Sequence, residues 1–263
     1  MGMICGGKTS VLLDYIAATP SNREFFRNWY KALQGSRDFY FVTHLRSMRK
    51  GVKVTAHSFI YPDGEIVSGG KVGEKEIVQL KSELRHISVT TVMENEGFKL
   101  IVDPIRKVKT VYLFGAGHVA VPTAYLASLT GFRTMVLDDR SEYANNERFS
   151  NVYAVRVLPS FDRALEGLEI DSDSYIVIIT RGHQFDREVL EQALKSRAGY
   201  IGMISSRRKR DTIYQALLEK GISQAELDKV NSPIGIPIGG ETPEEIAVSI
   251  VAELISERSK SQS

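Results

Sequence analysis

The chain has 263 residues, 43% of them hydrophobic, and carries 34 basic against 32 acidic side chains. This length fits one large domain or two ordinary ones, and the apolar fraction is enough for a packed core. The balanced charge gives no reason to expect nucleic acid or a membrane surface as a partner, and we expect neither.

The single cysteine, Cys5, excludes an internal disulfide framework and fits a reducing cytoplasm, where we expect the protein. No stretch approaches the roughly 20 apolar residues of a membrane span. The first residues also lack the basic and apolar regions of a signal peptide.

Residues 1–105 mix one helical pattern with several strand patterns. Ser21-Asn22-Arg23-Glu24 predicts a capping box that opens a helix to about Leu33. Pro62-Asp63-Gly64 predicts a turn. Strands are predicted at 11–13, 39–43, 52–61, 89–93 and 98–102, the last two as a hairpin. We therefore expect a smaller α+β domain over residues 1–105.

From Lys109 the pattern changes to alternating strands and helices. Strands are predicted near 110–114, 133–138, 152–157, 174–180 and 199–204, and helices near 118–130, 160–167, 185–197, 206–220 and 243–257. Such alternation predicts an α/β fold, with a Rossmann-like parallel sheet and helices on both faces, over residues 106–258.

The stretch 111–120 joins an apolar strand to a Gly-x-Gly-x-x-Ala turn, and a second apolar strand ends in two acids. Gly115 permits a tight turn, and Gly117 lets the backbone approach a pyrophosphate. Asp138 or Asp139 is placed to accept a ribose hydroxyl. This pattern predicts a dinucleotide site, with NAD(P) as one candidate. The alternative is that the glycines only pack the turn.

Two histidines follow predicted strands at the same edge of the sheet. His118 opens a helix, where the dipole favours a neutral ring that contacts a ligand phosphate; the alternative is a side chain of the cap region. His183 lies in the next loop beside Asp186, which is equally a candidate helix cap.

A third loop begins at Ser205 and Ser206 and continues with four consecutive cations, Arg207, Arg208, Lys209 and Arg210. Cations at a helix N-terminus oppose the helix dipole. A bound anion would relieve that conflict, so we expect phosphate recognition here; the alternative is a solvated basic face. The glycine- and proline-rich segment 232–241 is expected to wall the crevice before Thr242-Pro243 opens a helix.

These motifs together resemble the C-terminal half of the XdhC/CoxI family. The resemblance spans about residues 110–255 and rests on the glycine turn, Asp138-Asp139-Arg140, Arg148-Phe149, and the segments 200–209, 232–235 and 240–247. It implies an accessory protein for molybdenum hydroxylases such as xanthine dehydrogenase. Such a protein binds molybdenum cofactor, protects it during sulfuration and delivers it to the apo-enzyme, without turnover of its own.

The resemblance further implies that Arg140 and the loop 205–209 contact the cofactor. It implies two partners, an apo molybdenum hydroxylase and a sulfur-donating cysteine desulfurase. A homodimer is expected because closed homo-oligomers are common. We expect no resident metal site, since the histidines lack metal-ligand spacing.

The chain departs from the family in two places. Ser205 stands where the family usually has glycine, and a side chain there narrows the backbone approach. Gly2-Met3-Ile4-Cys5-Gly6-Gly7 resembles a Cys-Gly-Gly element that lies deeper inside longer members, so we expect an N-terminally shortened member. Cys5 is then a candidate to contact molybdenum or carry a persulfide; the alternative is that it has no role.

Two other functions remain open from the residues. One is an NAD(P)-dependent oxidoreductase, although no convincing hydride-transfer residues accompany the fingerprint. The other is a non-catalytic interaction module with a vestigial nucleotide site.

Overall fold

The computed structural model describes residues 11–35, 37–49, 51–95 and 97–260. The chain forms two compact units that divide between Lys107 and Val108. The strands of the first unit pair antiparallel. Those of the second unit pair parallel. The expected α/β class, with a parallel sheet in the C-terminal part, is confirmed.

The first unit is a five-stranded sheet in the order β3-β2-β1-β5-β4 with two helices. Its elements are α1 Pro20–Gln34, β1 Phe39–Ser47, β2 Val52–Ile60, β3 Ile66–Ser68, α2 Glu74–Glu83, β4 Thr91–Asn95 and β5 Phe98–Ile105. Alternate residues of β1 point to opposite faces, since Phe39 packs with Phe25 of α1 while Tyr40 packs with Leu80 of α2. The sheet therefore has an apolar core on each side.

Two predictions for the first unit need correction, and one helix was not predicted. Residues 11–13, expected as a strand, are in no regular structure. Helix α1 is capped by Thr19, whose hydroxyl accepts a hydrogen bond from Asn22 N at 3.2 Å, so Ser21 lies inside the helix. Helix α2 was not predicted; it begins after Gly73 with no side-chain hydrogen bond at the cap, and its start signal is limited to that glycine and the first-turn acids Glu74 and Glu76.

A buried polar chain crosses this unit. His44 Nδ1 lies 2.6 Å from Glu76 Oε2, and its Nε2 lies 2.8 Å from Ser58 Oγ. The imidazole is 1% exposed, and burial lowers the pKa of His44 below its ordinary value. Burial lowers the pKa of His57 in the same way.

This environment predicts an acid-sensitive first unit. In the unfolded chain His44 takes up a proton below about pH 6.5, whereas in the folded chain it stays neutral to lower pH. The free energy of unfolding should therefore fall as the pH drops from about 7.5 to 5.5. His44→Gln should make that profile shallower but not flat, because His57 acts in the same direction.

Chemical denaturation of both proteins across this pH range measures the effect. His44→Gln should also cost about 1–3 kcal/mol near neutral pH, because buried hydrogen bonds are rearranged. An equally steep pH profile in the variant would contradict the assignment.

The second unit is a five-stranded parallel sheet in the order β10-β9-β6-β7-β8. Its elements are β6 Thr110–Phe114, α3 Ala120–Leu129, β7 Arg133–Asp138, β8 Ala154–Val157, β9 Ser174–Ile178, α4 His183–Leu194, β10 Tyr200–Met203, α5 Arg207–Glu219, α6 Gln224–Leu227 and α7 Pro243–Lys260. The helix expected over 160–167 is only a single turn, Phe161–Arg163.

The order of the strands determines where a ligand crevice is expected. The chain runs from β6 outward through β7 to β8, and then returns to β9 on the other side of β6. Residues of α3 and α7 pack in one core and residues of α4 and α5 in another, so helices cover both faces. The order reverses between β6 and β9, and ligands of such sheets bind beyond the carboxyl ends of the strands at that point.

Candidate functional site

The glycine turn follows β6 directly, at the point where the strand order reverses. Gly115 has φ +112°, and a Cβ there would lie 2.3 Å from the carbonyl oxygen of Ile179. Its own N–H donates to Leu137 O at 2.8 Å. Glycine is therefore required, because the backbones at the ends of β6 and β9 approach too closely for a side chain.

Gly117 has a different environment. No atom lies within 4 Å of the position that its Cβ would occupy, and its backbone is not in the left-handed region. The following helix α3 starts at Ala120 after Val119, which provides no side-chain cap. The first N–H groups of α3 are therefore available to an external acceptor.

Asp138 ends β7 and is 1% exposed. Its Oδ2 accepts from Ala116 N at 2.8 Å and from Arg140 Nη2 at 3.0 Å. Its Oδ1 accepts from Arg140 N at 3.1 Å and Arg140 Nε at 2.9 Å. The carboxylate thus joins the glycine turn to the end of β7, and it holds the Arg140 guanidinium beside it.

Asp139 pairs across the switch point with Arg181, which follows β9. Arg181 Nη2 lies 2.8 Å from Asp139 Oδ2, and Nη1 donates to Oδ1. The guanidinium lowers the pKa of Asp139, and the carboxylate raises the pKa of Arg181. Both groups are therefore charged near neutral pH and link the loops after β7 and β9.

Asp186 holds the loops after β9 and β10 together. It is fully buried and accepts from Thr180 N at 3.2 Å and from Thr180 Oγ1 at 2.6 Å. Its other oxygen pairs with Lys209 Nζ. The alternative that Asp186 caps α4 is wrong, because the N-cap is Gly182 and Asp186 lies in the first turn.

The four cations of the basic loop differ in whether another group of the protein pairs with them. Lys209 pairs with Asp186, and Arg210 donates to Asp211 and, at 3.3 Å, to Ser232 O. Arg207 and Arg208 are exposed, and neither side chain has a partner within the described part of the chain. They remain available to an anion at the start of α5.

Two serines shape the same loop. Ser206 caps α5 by accepting from Lys209 N at 3.2 Å. Ser205 Oγ lies 2.7 Å from Ser232 Oγ. Ile234 N donates to Met203 O at 3.0 Å, so the segment after residue 231 lies against the end of β10. The Ser205 hydroxyl is therefore used to hold the loop.

The predicted site residues of the second unit all lie at the carboxyl edge of its sheet. They are Gly115, Gly117, His118, Asp138, Asp139, Arg140, His183, Ser205, Ser206, Arg207, Arg208 and Lys209. His118 and His183 are exposed, at the starts of the segments leading into α3 and α4. Cys5 lies outside the described residues.

Two residues of the site were not assigned to it from the sequence, although Arg148 belongs to the motif that carries the family resemblance. Arg148 donates from Nη1 to Ala116 O at 3.0 Å and so supports the glycine turn. Arg181 was not singled out, although it lies in the loop after the strand beside β6. The sequence signal for Arg181 is a basic residue shortly after β9, at the edge of the sheet where a ligand is expected.

Two features are missing from the described residues. They contain no group of three or more His, Cys, Asp or Glu side chains placed to hold a metal ion. None of their helices combines the length and apolar character needed to cross a bilayer.

A family model described as the XdhC Rossmann domain matches residues 111–254. The chain belongs to the XdhC Rossmann domain family. The matched residues contain the glycine turn, both acids after β7 and the basic loop before α5. The resemblance seen in the sequence is therefore confirmed.

Curated relatives are similar to part of this chain, and two of them have names that indicate a function. The chain is 36% identical over 54% of its length to the uncharacterized protein YqeB of Escherichia coli, covering 26% of that protein. It is 30% identical over 67% of its length to a Bacillus subtilis protein named as a probable xanthine dehydrogenase subunit, covering 49% of it. It is 26% identical over 56% of its length to the molybdenum cofactor insertion chaperone PaoD of E. coli, covering 39% of it.

The chain therefore spans between about a quarter and a half of the length of these curated relatives. A crystal structure described as a xanthine dehydrogenase from Bacillus halodurans is also similar. It matches with a TM-score of 0.70 and 26% identity, over 93% of this chain and 69% of that one.

The two glycines of the turn provide a matched pair of variants. Gly115→Ala should cost about 2–4 kcal/mol of unfolding free energy, because the methyl group meets a carbonyl oxygen and φ is positive. Gly117→Ala should change stability by less than about 1 kcal/mol, since open space surrounds it. Denaturant titration of both variants measures the difference. Equal losses would contradict the close approach of β6 and β9.

Proposed function

We propose that this chain is an accessory protein in the maturation of a molybdenum hydroxylase of the xanthine dehydrogenase type. In this role it binds molybdenum cofactor at the carboxyl edge of the parallel sheet and delivers it to the apo-enzyme. The names of two relatives, a molybdenum cofactor insertion chaperone and a probable xanthine dehydrogenase subunit, support the proposal.

The observation that carries it is the pair of uncompensated cations, Arg207 and Arg208, at the sheet edge that also carries the open glycine turn. Every other cation of the basic loop already has a partner. The cofactor is a phosphorylated pterin, so its phosphate supplies the anion that these guanidinium groups lack.

The described residues fit that phosphate. Gly117 leaves the backbone of the turn uncovered, and α3 starts without a side-chain cap. Asp138 accepts a hydrogen bond from Ala116 N, and Arg148 donates one to Ala116 O, so the two side chains hold the turn in place. When bound, the group supplies a molybdenum dithiolene for the client enzyme. The chain's own residues would bind and orient it, with His118 and His183 exposed at the same edge.

Partners follow from this role. We infer that the apo-hydroxylase receives the cofactor and that a cysteine desulfurase supplies the sulfur while the cofactor is held here. Both steps take place in the cytoplasm, and the accessory protein acts as a homodimer without turnover of its own. Cys5 stays a candidate for carrying sulfur or contacting molybdenum.

Reversing the charge of the two free cations tests the proposal. Arg207→Glu with Arg208→Glu should weaken binding of molybdopterin at least tenfold, because repulsion replaces two charge-assisted hydrogen bonds. Titration of the purified protein with the free cofactor gives the affinity. Arg23→Glu with Arg27→Glu, on the exposed face of α1 in the first unit, is the control for an equal change in net charge.

An unchanged affinity in the Arg207 and Arg208 variant would contradict the proposed site. Absence of any molybdopterin binding by the unmodified protein would contradict the proposed function. Capture of the apo-hydroxylase by a protein that binds no molybdopterin would favour an interaction module with a vestigial site.

An NAD(P)-dependent oxidoreductase is the second candidate, because the glycine turn lies at the switch point of a Rossmann-like sheet. NAD(P)H turnover with a carbonyl compound by the purified protein would favour it. No bound nucleotide and no turnover would leave the accessory role as the better account.

A further inference from the structure

The two acids at the end of β7 are already engaged within the protein. A carboxylate offers about four acceptor positions. Hydrogen bonds from Ala116 N, Arg140 N, Arg140 Nε and Arg140 Nη2 fill those of Asp138. Asp138 is therefore closed to a ribose hydroxyl, the role that its position in the fingerprint predicted.

Asp139 is the remaining acid, and Arg181 covers it. Both carboxylate oxygens accept from the guanidinium, which also lies over the Phe185 ring with its carbon 4.3 Å from the ring centroid. The Arg181 side chain is 36% exposed and that of Asp139 is 19% exposed. A ligand entering here meets the guanidinium more readily than the carboxylate.

The pairing leaves Arg181 with donors to offer. The contacts to Asp139 use one N–H of each terminal nitrogen, so further N–H groups of the guanidinium remain. A ribose hydroxyl would have to compete with Arg181 for Asp139. A phosphate oxygen accepts from the guanidinium without breaking the pair.

We propose that Asp139 positions Arg181 at the switch point as a phosphate-reading residue, so that the crevice prefers a ligand carrying a phosphate monoester to one presenting an unmodified ribose diol. This inference rests on the proposed function and specifies its ligand class. Applied to the pterin, this preference disfavours the form joined to a nucleotide, because that nucleotide presents an unmodified ribose diol.

The matched probes are NADP+ and NAD+, which differ by one phosphate monoester on a ribose hydroxyl. Isothermal titration of the unmodified protein should give an affinity for NADP+ on the order of tenfold higher than for NAD+, since one charge-assisted contact is gained. Arg181→Gln should reduce that preference at least fivefold, chiefly through weaker binding of NADP+.

Asp139→Asn tests the positioning role. It should reduce the preference for NADP+ in the same direction, because the guanidinium loses its anchor while the side-chain shape is kept. Arg181→Lys should restore only part of the preference, since an ammonium keeps the charge but lacks the planar fork. A merely structural role of Asp139 would not move this ratio.

Arg37→Gln is the control. Arg37 pairs with Asp63 and lies over the Tyr61 ring at 3.7 Å, so it repeats the surroundings of Arg181 in the first unit. It should leave the ratio unchanged. Thermal unfolding of each variant shows whether the fold is kept.

Four results would overturn the proposal. They are equal binding of the two probes, no binding of either, a preference that survives in Arg181→Gln, and an Asp139→Asn variant that loses affinity for NAD+ alone. The last would make Asp139 a ribose acceptor. Failure of the proposed function gives a different result. In that case the unmodified protein binds no molybdopterin, whatever the ratio of its affinities for NADP+ and NAD+.

Discussion

The buried carboxylate of Asp138 is the interaction on which the ligand edge of the second unit depends. It accepts the N–H of Ala116 in the middle of the glycine turn, and it also holds Arg140. Removing a charge from such a buried pair leaves its donors without compensation and typically costs about 3–5 kcal/mol. The shape of the turn, and with it the exposed backbone of Gly117, therefore follows from this one acid.

Around that acid the cations fall into two groups. Arg140, Arg181 and Lys209 are each bound to a carboxylate. Arg181 connects the loops after β7 and β9, and Lys209 connects those after β9 and β10. Arg207 and Arg208 are exposed and have no side-chain partner among residues 97–260. The first group builds the edge and the second leaves it with unbalanced positive charge, as a site for a phosphorylated ligand requires.

Much of the second unit could be predicted because its signals are local. Each strand is a short apolar run, and each predicted helix begins near a glycine, serine or proline. The segment after Leu158 was misjudged, since one turn replaces the expected helix. In the first unit, α2 lacks a side-chain cap, and Thr19 displaced Ser21 as the cap of α1. Local signals exist for both helix starts: Pro20 follows Thr19 at the first position of α1, and Glu74 and Glu76 lie in the first turn of α2.

The sequence predicts where the site residues lie along the sheet edge, but not which of them pair with each other. The sequence places Asp139 and Arg181 after two strands, β7 and β9, which lie on either side of β6 in the sheet. Nothing local indicates that the two side chains bind each other across 42 positions of chain. In the same way, the sequence offers Asp186 as a helix cap, whereas in the folded protein it pairs with Lys209. Partners that meet only through tertiary structure decide which charges remain free for a ligand.

A survey of ligands released from freshly purified protein shows whether the carboxyl edge of the sheet holds a molybdopterin. Mass and absorbance measurements should show a molybdopterin that carries a terminal phosphate, released in a stoichiometric amount. Release of NAD(H), or of no ligand together with no uptake of added molybdopterin, would contradict the account.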